Sequence, residues 1–320
     1  MPSDYSVKTL NCNTLSYQDI FLERLYESSV DSSLTDKLRE FGQTTPLLVL
    51  QKAETAYQII ANFAVYQSLK TLDVTDVYCR ILPHSVASYR RYSLQVLHGW
   101  NELQNSPILR AHLLQQVKDN CTTEELLSIL SLMELPSQLY TVDELVSLLN
   151  LSTETIFALH HGLLTLKSAK LMHRLSHQDQ EYVIKLLELY KPGGSKQYKL
   201  LEMIIELTRR MNISVADLVQ KWLPMEQDNR TDNNPQHLQN ILRELTELCW
   251  PEKIKLEEQF LQFVHSLALP KNITVIPSPS FEEKGCSLCL HCSTEEELQH
   301  LWNRIRPFFP TVQQDREQAP

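Results

Sequence analysis

Cys286, Cys289 and Cys292 form a C-x-x-C-x-x-C run with His291 inside it. Looped, such a run wraps zinc or an iron–sulfur cluster. The alternation of Cys286, Leu288, Leu290 and Cys292 predicts one face of a strand instead, which sends Cys289 to the opposite face, and a strand cannot converge all three thiols. No metal and no cofactor is assigned. A second group, Lys167, Lys170 and Arg174, recurs at i, i+3 and i+7 and places three cations along one helical face. That stripe either grips phosphates or is a solvated surface. Arg90 and Arg91, flanked by Tyr89 and Tyr92, supply cation and stacking contacts or an interdomain salt link.

The cations follow a stretch, 141–161, with the cadence of a helix-turn-helix. Leu145, Leu148 and Leu149 make an apolar face, Asn150 and Leu151 supply the turn, and Ser152 caps a second helix bearing Ile156 and Leu159. The same stretch also suits an ordinary helical pair packed for stability. Residues 200–223 repeat the cadence, with Asn212 at the break and Ser214 as the next cap. There Arg209 and Arg210 close a helix, where the dipole favours cations without any need of DNA.

The elements that must hold these groups read as α+β and mostly α. Ser33 caps a helix through Glu40, ended by Gly42. Strands follow at 46–50, 57–60 and 77–82, with a helix at 62–72 between the last two. From His84 onward, three- and four-residue apolar spacing predicts helices to about Pro224, broken at Pro107, at Pro136 and in the turn 191–196. The stretch 226–236 has no apolar residue and reads as a linker. Two helices separated by Pro251 follow, then a β-β-α end piece whose helix opens on a capping box of Ser293 with Glu296. The expected domains are 1–84, an α/β unit, 85–225, the helical domain, and 226–320, the linker, helical pair and β-β-α module. Within the last, Leu256, Phe260, Phe263 and Leu267 are spaced for self-association.

Composition excludes several mechanisms. Only six glycines occur in 320 residues, and none can be written into a phosphate-cradling loop or a dinucleotide fingerprint. No nucleophile or metalloprotease motif is present, so catalysis is not indicated. The net charge of −9 argues against indiscriminate nucleic-acid binding, although residues 85–225 are electrically balanced while both flanks are acidic. No apolar run is long enough to span a membrane, the N-terminus lacks a signal-peptide profile, and the seven cysteines read as free thiols. A cytoplasmic location is expected.

Residues 34–82 resemble the N-terminal domain of ParB-type partition proteins. Gly42, Gln43, Pro46 and the apolar positions 47–49 match that family's Gly-Gln-x-x-Pro-apolar block. Aligned through 57–60, the family's next glycine falls on Asn62, its acid on Phe63, its two arginines on Ala64 and Val65, and a further arginine on Gln67. In the family that block helps bind a cytidine triphosphate. The resemblance therefore implies the fold without nucleotide binding or hydrolysis here. Residues 135–187 look like the family's helix-turn-helix and the helices after it, and 162–180 is similar to its Gly-x-x-x-x-x-x-Ala-x-x-Leu pattern. The resemblance implies a bacterial-type DNA-binding protein of chromosome or plasmid partition or of transcriptional regulation. Thr153, Thr155 and His160 would then meet base edges, and Lys167, Lys170 and Arg174 phosphates. The alternative is a protein-interaction scaffold of the same architecture that has lost DNA and nucleotide binding. A metal or redox protein using the late cysteines is the third reading.

Overall fold

The continuous apolar run after Pro46 forms β3 (Leu47–Gln51), whose first four side chains are buried, as a central strand covered on both faces requires. It pairs antiparallel with β4 (Tyr57–Ala61) and parallel with β5 (Asp76–Leu82), and α3 (Phe63–Thr71) makes the crossover between those two. These coordinates, a computed structural model, describe residues 6–27, 31–223, 234–269, 272–278 and 285–306.

The sheet begins earlier than the sequence reading placed it. Its edges are β1 (Ser6–Asn11), antiparallel to β5, and the two-residue β2 (Leu15–Ser16), parallel to β4, so the order is β1-β5-β3-β4-β2. All of β1 but Leu10 is exposed, and an edge strand of that kind carries no apolar pattern to read. Then comes α1 (Ile20–Glu27), which buries Leu22, Leu25 and Tyr26. Helix α2 (Ser32–Phe41) is capped by Asp31, whose carboxylate accepts from the Leu34 N–H at 3.1 Å, so the expected cap Ser33 lies inside the first turn. Gly42 ends it at φ 71°, in the left-handed region.

The following residues are helical throughout, as the spacing predicts. Helices α4 (Ser88–His98), α5 (Trp100–Asn105), α6 (Pro107–Asn120), α7 (Thr123–Leu132) and α8 (Leu139–Ser147) lead to α9 (Thr153–His160), α10 (Leu166–Met172) and α11 (His177–Tyr190). Then come α12 (Gly194–Met211) and α13 (Val215–Val219). Helix α6 is the hub, burying six apolar side chains and touching α4, α5, α7, α8 and α9. Pro107 is its first residue and Ser106 its cap, an arrangement in which the missing proline N–H costs nothing.

The chain divides into two compact units, Met1–Leu242 and Arg243–Pro320, with the boundary inside α14 (Asn234–Cys249). Most of the linker read at 226–236 lies outside the described residues. The second unit holds α15 (Pro251–Ser266) and the antiparallel pair β6 (Ile273–Pro277) and β7 (Cys286–Leu290). Its last described element is α16 (Glu295–Ile305), so the β-β-α order stands. The cap of α16 is Thr294, one residue later than read, accepting from the Glu297 N–H at 3.2 Å, while Glu297 accepts from the N–H of Ser293, the residue before the cap, at 2.9 Å, so the reciprocal box does not form. The architecture is α+β and mostly α. Among the described residues no helix is long and apolar enough to cross a membrane.

Candidate functional site

The helix-turn-helix cadence becomes α8, one tight turn at 148–150, and α9. Ser152 caps α9 by accepting from the Thr155 N–H at 3.2 Å, and Leu145, Leu148, Leu151, Ile156 and Leu159 are buried as the pattern requires. Two buried glutamines then fix α10 at both ends. Gln180 of α11 accepts from the Ser152 N–H at 2.8 Å and donates to the carbonyls of Met172 at 3.0 Å and Leu175 at 3.2 Å. Gln197 of α12 accepts from the Thr165 N–H at 2.8 Å and donates to the Leu163 carbonyl at 2.7 Å. Each satisfies backbone groups that the helix ends leave without partners.

This scaffold does not present the expected contact set intact. Thr155 is fully buried, its hydroxyl hydrogen-bonded to that of Ser152 at 2.9 Å, and it cannot touch a base. His160 turns inward: its Nδ1 lies 2.8 Å from the Ser106 hydroxyl, and its ring meets those of Tyr26 at 5.5 Å and His161 at 4.8 Å. Burial first, and the neighbouring His161 second, push its pKa down to about 4, so it is neutral at pH 7. Lys170 forms an ion pair with Glu144 of α8. Lys167 stands over the Tyr198 ring at 4.0 Å, its surface otherwise open to solvent. Arg174 is exposed but lies beyond the end of α10, so the three cations do not share one continuous helix. Thr153 is exposed at the first position of α9, beside Glu154.

Among the other cations, Arg91 has a structural contact. The Arg91 guanidinium lies 4.5 Å from the centre of the Tyr92 ring and donates to its hydroxyl at 2.6 Å. In the second cadence Asn212 ends α12 at φ 53° and Ser214 caps α13, over a row of fully buried leucines and isoleucine, so this pair is core. Cys286 and Cys289 both lie in β7, opposite Pro277 and Thr274, on alternate faces. Among the described residues no three His, Cys, Asp or Glu side chains converge as a metal site.

The two blocks that carry the family resemblance have separate physical roles. Gln43 acts as a strand residue made of side chain: its amide donates to the Tyr78 carbonyl and accepts from the Tyr78 N–H, both at 2.8 Å. It thereby continues the β3–β5 pairing ahead of Leu47. Pro46 offers its carbonyl to the Asn62 amide at 3.1 Å, and Asn62 holds φ 66°, the left-handed conformation that glycine adopts without strain. Phe63 is buried against Tyr17 and Tyr26. Ala64 and Gln67, where the resemblance places arginines, line a cleft of about 350 Å³ together with Tyr26, Asp31, His160 and His161. Sequence reasoning missed this cleft, whose walls come from four separate stretches of chain.

No family model matches the sequence, and no curated protein matches it. Among solved structures the chain is similar to the C-terminally truncated chromosome-partitioning protein ParB from Caulobacter crescentus complexed to the centromeric parS site. The identity is 17% and the TM-score 0.29, over 67% of this chain and 99% of that one. It is similar to a pNOB8-like ParB N-domain at 14% identity and a TM-score of 0.38, over 75% of this chain and 97% of that one. It is also similar to the truncated Caulobacter crescentus ParB complexed with CTP-γ-S, at 19% identity and a TM-score of 0.23, over 51% of this chain and 89% of that one.

Proposed function

We propose that this chain is a protein-interaction scaffold on a ParB-like architecture, pairing with a second copy of itself through α15 and neither reading bases nor hydrolysing a nucleotide. The observation that carries this reading is the row Leu256, Phe260 and Phe263 of α15 with Leu267 just past its end, in which Leu256 is 43% exposed, Phe263 52% and Leu267 43%. The row repeats at alternate four- and three-residue steps, the period of a coiled-coil seam, and such a seam is self-complementary about a two-fold axis. The inward Thr155 and His160 support the absence of base reading, and the pairing of Lys170 with Glu144 removes one expected phosphate contact. Sedimentation equilibrium of the full chain is expected to show a concentration-dependent dimer, and Phe263→Glu a monomer with unchanged helix content. A wild-type chain that stays monomeric at high micromolar concentration removes the reading.

A direct DNA-binding role in chromosome or plasmid partition or in transcriptional regulation is the second reading, favoured by the exposure of Thr153, Lys167 and Arg174 around the pair α8 and α9. Two phosphate contacts give a slope of log affinity against log salt of about −2. Absent or salt-independent binding, to random and to native DNA alike, rejects it.

A further inference from the structure

The first turn of α3 holds a carboxylate. Glu102, which reaches it from α5, is half-buried, and its two oxygens accept from the Ala64 N–H at 3.0 Å, the Phe63 N–H at 3.2 Å and the Tyr26 hydroxyl at 2.9 Å. Asn62, the cap residue of α3, makes no side-chain hydrogen bond to that turn, so the two N–H groups have Glu102 as their acceptor. A helix start offers partial positive charge and unpaired donors, which is what an oxyanion seeks. Tyr26 and Ala64, both donors to Glu102, also line the neighbouring cleft of about 350 Å³.

We propose that Glu102 is the built-in occupant of an oxyanion site: the chain fills the start of α3 with its own carboxylate, and that helix start therefore refuses phosphate-bearing small molecules. The inference does not rest on α15. Burial is the larger influence and leaves the carboxyl pKa raised, against the three donors that lower it, each of which uses Glu102 as an acceptor. The same contacts clip α1, α3 and α5 together, so the internal anion also positions the cleft wall.

The test is thermal unfolding and calorimetric titration of the full chain with inorganic phosphate, against sodium chloride of equal ionic strength. Wild type is expected to show no phosphate effect beyond the chloride control. Glu102→Ala is expected to lose about 5 °C or more in Tm, since three donors lose their acceptor. Phosphate should restore part of that loss saturably, with at least a tenfold tighter Kd than wild type shows. Phosphate binding equally well to both proteins, or a folded Glu102→Ala that ignores phosphate, overturns the proposal. Glu102→Gln keeps the shape and exchanges one acceptor oxygen for an NH2 group. It is expected to unfold earlier than wild type and to remain blind to phosphate because the amide still fills the space. A Gln variant as stable as wild type also overturns the proposal, whether or not Glu102→Ala folds.

Discussion

Lowering the pH should destabilise the protein through His160, by an amount the structure sets. The imidazole sits against the Ser106 hydroxyl, the Tyr26 ring and His161, with no carboxylate among these contacts to welcome a proton. Its pKa falls from an ordinary 6.5 to about 4 in the folded chain. Because the folded value is the lower one, protons bind the unfolded chain more readily. The contribution is whole above pH 6.5, diminishes as pH falls toward 4, and is gone below it. A gap of about 2.5 units at 1.36 kcal/mol each sets a ceiling of about 3 kcal/mol, of which about 2 kcal/mol is lost by pH 5. Urea unfolding of wild type and His160→Gln at pH 7.5 and pH 5 isolates the term, since the amide cannot titrate and still reaches Ser106. Wild type should lose about 2 kcal/mol more than the variant between the two pH values. Equal losses, or an NMR titration placing the His160 midpoint near 6.5, would refute the reasoning.

Two further outcomes follow from side chains that stand in for backbone. Gln180→Leu leaves the Ser152 N–H and two carbonyls without their buried partner and should cost about 2–4 kcal/mol, read from the urea midpoint. Gln43→Ala removes both bonds to the exposed Tyr78 peptide and should cost only about 1 kcal/mol, with amide exchange at Tyr78 accelerated while that of Leu48 stays slow.

What was legible in the sequence depended on how many neighbours decided each residue. Strand β3 is buried on both faces, so its apolar run is continuous and survives any choice of partner. The caps Ser152 and Ser214 were legible because a cap is decided within three residues. Strand β1 is paired along one side only and almost wholly exposed, so nothing in Ser6–Asn11 distinguishes it from a loop. The site fared worse than the fold for the same reason. Glu102 lies in a six-residue helix of mixed polarity and reads as a solvated acid, and its burial is decided by donors 38, 39 and 76 positions away. His160 reads as a base contact from its place on α9, yet its partner Ser106 is 54 positions away. Lys170 fits its helical stripe perfectly, and the carboxylate that answers it sits on another helix.

The two blocks of the family resemblance part company for a physical reason. The positions that match, Gly42, Gln43 and Pro46, serve the backbone: a helix end, a strand continued by a side-chain amide, and a carbonyl held by Asn62. None of these roles needs a ligand, so they persist wherever the sheet does. The positions that depart, Ala64 and Gln67, line the cleft, where an arginine would face Asp31 as well as any bound anion. Asn62 sits between the two sets and behaves like the first, keeping the left-handed turn although the glycine is gone. Glu102 holds the start of α3 from inside, and an arginine at 64 or 67 would instead meet the Asp31 carboxylate on the cleft wall. The left-handed turn at Asn62 therefore needs neither an external anion nor cations at 64 and 67. The order of those requirements is testable, because Ala64→Arg should bind phosphate only once Glu102 has been removed.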